Sequence, residues 1–264
     1  MTGDATIRRA IEAAQRSSHP ALAAFLTAGF PDRSSFAAVL SAVAGVADVV
    51  EIGVPFSDPM ADGVTVQRAS HVALQHGVTL EWILQTLRAL PAPPAAPLLL
   101  MSYLNPLLAY GLERLVSDLR AAGVSGLIVP DLPLEEQREL RNPLDRAGVA
   151  LVQLVTPVTP QERLELLCQT SGGFVYAVTV TGITGGAVAD QPSVVAYLQR
   201  VKSVAKVPVM AGFGVRSALD VQRLAPPADG VIVGSALIEC LERGADPAAF
   251  LRSLRVHSSA GERP

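Results

Sequence analysis

Eight short runs rich in branched and aliphatic residues alternate with helical patterns along the chain, and this alternation constrains the fold more than any single motif. The runs cover residues 22–28, 48–53, 97–103, 126–131, 149–156, 174–179, 208–213 and 230–234. Most are nearly continuous apolar stretches, the pattern of strands buried on both faces of a parallel sheet. Between them apolar residues return at helical spacing, as in Leu112, Leu115, Val116 and Leu119. Asp32 after Pro31 is an N-cap candidate. Thr159-Pro160-Gln161-Glu162 reads as a capping box with proline at the first helical position.

Eight βα units suit a closed barrel better than an open doubly wound sheet. An open sheet of the dinucleotide-binding kind carries a glycine fingerprint after its first strand, and Thr27-Ala28-Gly29-Phe30-Pro31 is no such motif. By length alone the 264 residues slightly favour two small domains, yet a single barrel runs to roughly 250 residues, so the pattern decides the count. No composition break or flexible linker divides them, and the proline-rich stretch 91–94 reads as a rigid loop into the third strand. The expected fold is therefore α/β, a single (β/α)8 TIM barrel forming one domain over residues 1–264, with an extra N-terminal helix and added helices, one of them after the second strand. Ile7, Ala10, Ile11 and Ala14, with charged residues between them, describe the first as an amphipathic surface helix and not a signal peptide.

Half of the residues are hydrophobic, ample for a large core, yet no apolar run reaches the roughly 18 residues of a membrane span. A net charge of −3 without a basic cluster argues against a nucleic-acid partner. Cys168 and Cys240 have neither metal-type nor disulfide-framework spacing, and read as core thiols of a cytoplasmic protein. The histidines His19, His71, His76 and His257 read as surface or packing residues.

Chemistry in a barrel sits where strands end and βα loops begin. The second run places one carboxylate, Glu51, in an apolar strand with no basic residue near it in sequence. A buried unpaired charge is costly, so such a Glu either faces the barrel mouth or is compensated by an ion pair from elsewhere. The following loop, 54–63, adds Asp58 and Asp62 beside Pro and Gly, where each could equally be turn chemistry. Later strands end in glycines and hydroxyls: 179–186 after the sixth, Gly212-Phe213-Gly214 after the seventh, Gly234-Ser235 after the eighth. Glycines there let backbone N–H groups reach an anion, and the loops after strands seven and eight are the usual phosphate site of a barrel. A tight βα turn also wants glycine. These features reach a phosphate-binding barrel with acid–base carboxylates, and they do not choose the reaction.

The string Glu51-Ile52-Gly53-Val54-Pro55-Phe56-Ser57-Asp58-Pro59-Met60-Ala61-Asp62-Gly63 resembles the signature of the tryptophan synthase alpha chain family. The likeness spans nearly the whole chain, through 25–31, 101–106, 130–133, 174–185, Gly212-Phe213-Gly214 and Gly234-Ser235. The resemblance implies retro-aldol cleavage of indole-3-glycerol phosphate to indole and glyceraldehyde 3-phosphate. It implies that Glu51 is the general acid/base, that Asp62 accepts the indole N–H, and that Tyr176 stands beside them. Phe25, Met101 and Ile128 would line the indole pocket, and Ile232 would also bind the substrate. Gly185, Gly214, Gly234 and Ser235 would hold the phosphate, with Phe213 packed nearby. Thr184 would couple a lid to Asp62. That lid departs from related chains, which often carry Arg or another polar residue where this one has Gly186-Ala187-Val188-Ala189, implying weaker closure or different contacts. The resemblance further implies an α2β2 heterotetramer in which indole passes to a tryptophan synthase beta subunit. Pro55, Asp58, Pro59, Asn105 and Pro106 would face that partner. Its pyridoxal phosphate would belong to beta, with no cofactor and no metal in this chain. A stand-alone lyase, or a non-catalytic activating subunit, are the alternatives within the same family.

Overall fold

A computed structural model describes residues 1–17, 19–179, 191–212 and 214–255. Thr184, Gly185, the lid and Phe213 lie outside the described residues. Eight parallel strands close on themselves: β1 (Ala21–Thr27), β2 (Val49–Gly53), β3 (Leu98–Met101), β4 (Val124–Ile128), β5 (Ala150–Val155), β6 (Val175–Val178), β7 (Val209–Gly212) and β8 (Gly230–Val233). Each pairs with the next, and β8 returns to β1 through Leu22 opposite Val231. Every expected run overlaps its strand, although β1 begins one residue and β4 two residues before the run, because strands buried on both sides write their burial directly into composition.

The helices are α1 (Gly3–Arg16), α2 (Phe36–Ala44), α3 (Val64–Gln75), α4 (Leu80–Arg88), α5 (Leu104–Tyr110), α6 (Leu112–Ala121), α7 (Arg138–Ala147), α8 (Gln161–Thr170), α9 (Gln191–Val204), α10 (Ala218–Leu224), α11 (Ser235–Glu242) and α12 (Pro247–Leu254). A plain barrel needs one helix after each strand. The additions at the N-terminus and after β2 match expectation, whereas the doublings after β3 and β8 were not read from the sequence. Gly111 separates α5 from α6 with a φ of 90°, a left-handed backbone that glycine adopts without strain. Leu115 and Leu119 of α6 are buried, as their spacing predicts.

Two helix starts differ from expectation. The Asp32 carboxylate accepts from the Ser35 N–H and from the Ser34 and Ser35 hydroxyls, so it caps a turn ahead of α2. The Thr159 hydroxyl accepts from the Thr156 N–H at 2.9 Å, and α8 begins at Gln161 with Pro160 as its cap. In both places a short polar side chain found a nearer N–H in the preceding turn.

Side chains alternate across each strand. Val50, Ile52, Leu100 and Leu127 face outward into the layer under the helices. Val49, Leu99, Ile128, Val152, Met210 and Ile232 fill the barrel interior. Ile7 and Ile11 of α1, both fully buried, join that interior cluster. Helix α1 is thus a plug in the N-terminal end of the barrel, which corrects the reading of it as a surface helix. Its apolar stripe is the same in either setting; what differs is the surface it meets. Gly3 lets it dock, its N–H reaching the Gly148 carbonyl at 2.5 Å where a Cβ would lie 1.8 Å from the Ser125 carbonyl oxygen. With that end closed, chemistry is left to the opposite face. Cys168 and Cys240 are buried and unpaired.

Candidate active site

Alternation along β2 sends Val50 and Ile52 outward and Glu51 inward. Glu51 lies in register with Phe25 of β1 and Leu99 of β3, so apolar residues flank it on both sides. It is 0 % exposed, and neither carboxylate oxygen has a hydrogen-bond partner among the described residues. The compensating ion pair that would make it structural is therefore not present among them. Burial alone pushes its pKa from 4.5 up to about 8. A carboxyl group stripped of water without a cation holds its proton, and Glu51 is mainly the neutral acid at pH 7.

Asp62 reaches the site by a different route. The loop after β2 is tied down by its backbone: the Asp62 N–H donates to the Pro59 carbonyl at 3.1 Å, and the Asp62 carbonyl accepts from the Gln67 amide at 2.8 Å. The side chain is not needed to close the turn. It is half-buried, and burial pushes its pKa up to about 6 while a hydrogen bond from Tyr103 opposes the shift. Asp58 instead is exposed and accepts from the neighbouring Ser57 hydroxyl, which is local turn chemistry. Tyr103 was not singled out from the sequence. The one signal available was its place just beyond the third strand, within the string 101–106.

Tyr176 projects inward from β6 and is buried. Its phenol is pushed well above 10, first by burial and then by the charges of Glu51 and Asp62, so all three groups share one interior. Glycines on adjacent strands make the room. A Cβ on Gly212 would lie 2.3 Å from a Tyr176 ring carbon, and one on Gly53 would lie 2.5 Å from Cζ of Phe25. Phe25, Gly53, Asp62, Met101 and Tyr103 line one cavity at the C-terminal face. Ile128 and Ile232 are buried in the interior cluster beneath it.

At the ends of β7 and β8 the backbone takes over. Gly214 has a φ of 85° with open space where a Cβ would stand. Gly234 is the N-cap of α11 and offers no side chain to its first turn, leaving the leading amides of Ser235 and Ala236 to an anion. Arg216, the first basic residue after Gly214, is engaged by Glu239. Charge compensation at this end falls to amides and the helix dipole. Among the described residues there is no cluster of three or more His, Cys, Asp or Glu able to hold a metal.

A buried acid, a second raised carboxylate and a helix start with uncapped leading amides thus lie at strand ends of one barrel. Residues 11–260 match the family model described as tryptophan synthase alpha chain. The chain belongs to the tryptophan synthase alpha chain family. The tryptophan synthase alpha chain of Nitratidesulfovibrio vulgaris is 44 % identical over 248 residues, covering 94 % of this chain and 96 % of the relative. That of Bacillus cereus is 48 % identical over 196 residues, covering 74 % and 76 %. Among solved structures, tryptophan synthase from M. tuberculosis superposes with a TM-score of 0.85 at 33 % identity over 94 % of this chain and 96 % of that one. Tryptophan synthase subunit alpha from Legionella pneumophila does so with a TM-score of 0.85 at 32 % identity, over 96 % and 97 %.

For an alpha chain, the residues expected to face a partner fall unevenly. Asp58 and Asn105 are exposed and Pro59 and Pro106 are half-buried, whereas Pro55 is buried within the chain. Met60 and Leu108, 88 % and 50 % exposed, stand on the same two segments. Among the described residues no helix is long and apolar enough to cross a membrane.

Proposed function

We propose that the barrel cleaves indole-3-glycerol phosphate by the retro-aldol route, with Glu51 moving the proton and Asp62 holding the indole nitrogen. The observation that carries this reading is the fully buried, unpaired Glu51 that keeps its proton at neutral pH. Its neutral acid delivers a proton to C3 of the indole ring, and the Asp62 carboxylate accepts the ring N–H and stabilises the resulting cation. The Glu51 carboxylate then takes the glycerol hydroxyl proton as the carbon–carbon bond breaks. The bonding pair returns to the indole, the aldehyde forms, and Glu51 ends in the state in which it began. Such positioned proton transfer contributes about 10²–10⁴ in rate. Tyr176, whose phenol does not ionise near neutrality, serves as a hydrogen-bond donor and wall beside the two carboxylates.

The phosphate is assigned to Gly214, Gly234 and Ser235, with Gly185 and Phe213 from outside the described residues. Phe25, Met101, Ile128 and Ile232 are assigned to the indole. Residues 1–264 are read as one domain, since β1 and β8 pair and the barrel cannot be cut between them. The indole passes to a tryptophan synthase beta subunit, in an α2β2 assembly whose pyridoxal phosphate belongs to beta; no step above passes through a cofactor. A cytoplasmic setting suits two unpaired thiols.

The test is indole release from indole-3-glycerol phosphate by the purified chain, alone and with its cognate beta subunit. The expected result is slow release alone, faster release with beta, and co-elution of the two. Release that ignores beta, with no co-elution, would remove the partner and leave a stand-alone lyase. Absence of indole in both arms would overturn the reaction itself.

A further inference from the structure

The Tyr103 hydroxyl touches the loop that carries Asp62 at the residue just before it. It accepts from the Ala61 N–H at 2.8 Å, and it lines the same cavity as the Asp62 side chain, close enough to hold that carboxyl's pKa down against burial. Its ring is 7 % exposed and packs on Phe56, with centroids 5.2 Å apart and an interplanar angle of 30°. A phenol oxygen can accept one hydrogen bond while donating another, so with the Ala61 N–H accepted its proton is left to the neighbouring Asp62 carboxylate. The residue next in the chain, Leu104, begins α5, with Tyr103 as its N-cap in extended conformation. The Leu104 N–H is engaged by the Asp131 carboxylate at 2.9 Å, so the backbone under Tyr103 is itself pinned from β4's loop.

We propose that Tyr103 is a positioning residue that presents the Asp62 carboxylate, ionised and correctly aimed, to the indole N–H of the substrate. The inference rests on the role given to Asp62 above. It adds a residue to the reaction that never touches a reacting atom. Two properties follow from one hydroxyl. The bond from Ala61 fixes the height of the loop, and the bond to Asp62 fixes the carboxylate's direction while favouring its charged form. Phenylalanine at position 103 would keep the ring on Phe56 and lose both bonds.

The groups that act with Asp62 are Tyr103 from the β3 end and Tyr176 from β6, with Glu51 of β2 acting on the same Tyr176 and Asp131 on Tyr103. Glu51 titrates close enough to Asp62 to blur a rate profile, so the test removes it. Equilibrium binding of indole-3-glycerol phosphate is measured from pH 5 to 9 on full-length Glu51→Gln protein, which binds without turnover, and on Glu51→Gln carrying Tyr103→Phe. In the single variant, binding strengthens through a midpoint near 6 as Asp62 ionises. Adding Tyr103→Phe is expected to move that midpoint up by about one pH unit, the worth of a hydrogen bond to a charged group. Affinity at pH 9 should stay within about threefold, because the carboxylate is then ionised in both proteins. A uniform loss of affinity with an unmoved midpoint would make Tyr103 merely structural and overturn the proposal. Glu51→Gln carrying Asp62→Asn is the control. If the midpoint persists there, the titrating group is not Asp62, and the reading of Asp62 fails together with this one. If the midpoint vanishes there yet ignores Tyr103→Phe, only this proposal fails.

Discussion

Replacing Glu51 by Gln should separate catalysis from stability. In the unfolded chain Glu51 ionises near 4.5, while burial holds it protonated in the folded barrel up to about 8. Folding is therefore favoured by this group fully below 4.5, and that contribution is lost as pH rises through 8. A displacement of some three to four units, at about 1.4 kcal/mol each, sets an upper bound of about 5 kcal/mol on what native burial of Glu51 costs in alkaline solution. Gln is neutral at every pH and does not incur it. The amide has its own unsatisfied polar atoms, a cost of about 1–3 kcal/mol that does not change with pH. The informative quantity is consequently the change in the gap between the two proteins. Between pH 6 and 8 the stability of Glu51→Gln should gain about 2 kcal/mol on the parent, because the parent loses stability at nearly the full linkage slope until pH nears 8. Asp62 titrates in both proteins, so its effect cancels. The assay is urea unfolding of each protein at pH 6, 7 and 8, alongside indole release. Release should fall by about 10²-fold or more. A gap that stays constant from pH 6 to 8 would refute the idea that burial holds Glu51 protonated, whatever the loss of activity.

Other outcomes follow from the same geometry. Asp62→Asn should lower indole release by about 10²-fold and remove the acid limb near pH 6 from the binding of substrate, as read by the pH dependence of KM. Gly53→Ala sets a Cβ 2.5 Å from the Phe25 ring; the ring must rotate, costing about 1–3 kcal/mol of stability and raising KM more than it lowers kcat. Gly3→Ala cannot be relieved by a rotamer change, since the clash is with the Ser125 carbonyl, and about 2 kcal/mol of lost docking should lower the Tm by about 4–8 °C with kcat nearly unchanged. Leu108→Asp, on the exposed face of α5 beside Asn105, should leave indole release by the isolated chain intact and weaken co-elution with the beta subunit; unimpaired co-elution would move the partner surface elsewhere.

Much of the site was legible because barrels place chemistry at strand ends, which is a matter of position along the chain. Glu51 stood out as one charge in an apolar strand, and Gly234-Ser235 stood out at the close of the last strand. Tyr103 did not stand out. A tyrosine beside a strand end is commonplace, and its value depends on a contact with Ala61, 42 positions earlier. Asp32 and Thr159 were misplaced by a few residues because a short polar side chain caps whichever N–H is nearest, and the choice among neighbouring turns is made by packing. Pro55 belongs to the same string as Asp58 and Pro59, yet it is buried where they are not, since the loop turns outward only after it.

The sequence by itself determined the order of eight strands, their burial on both faces and hence the closed parallel barrel, because these depend on composition and period within each segment. It also determined which strand carries an acid. Tertiary structure decided what that acid is. Glu51 keeps its proton only because Phe25 and Leu99 flank it from neighbouring strands and α1 seals the interior below. Asp62 becomes a catalytic candidate and not a turn former only because backbone groups close its loop and Tyr103 arrives to hold its carboxylate. Protonation and aim are set by desolvation and by distant hydrogen bonds, and neither is a property of any one stretch of chain.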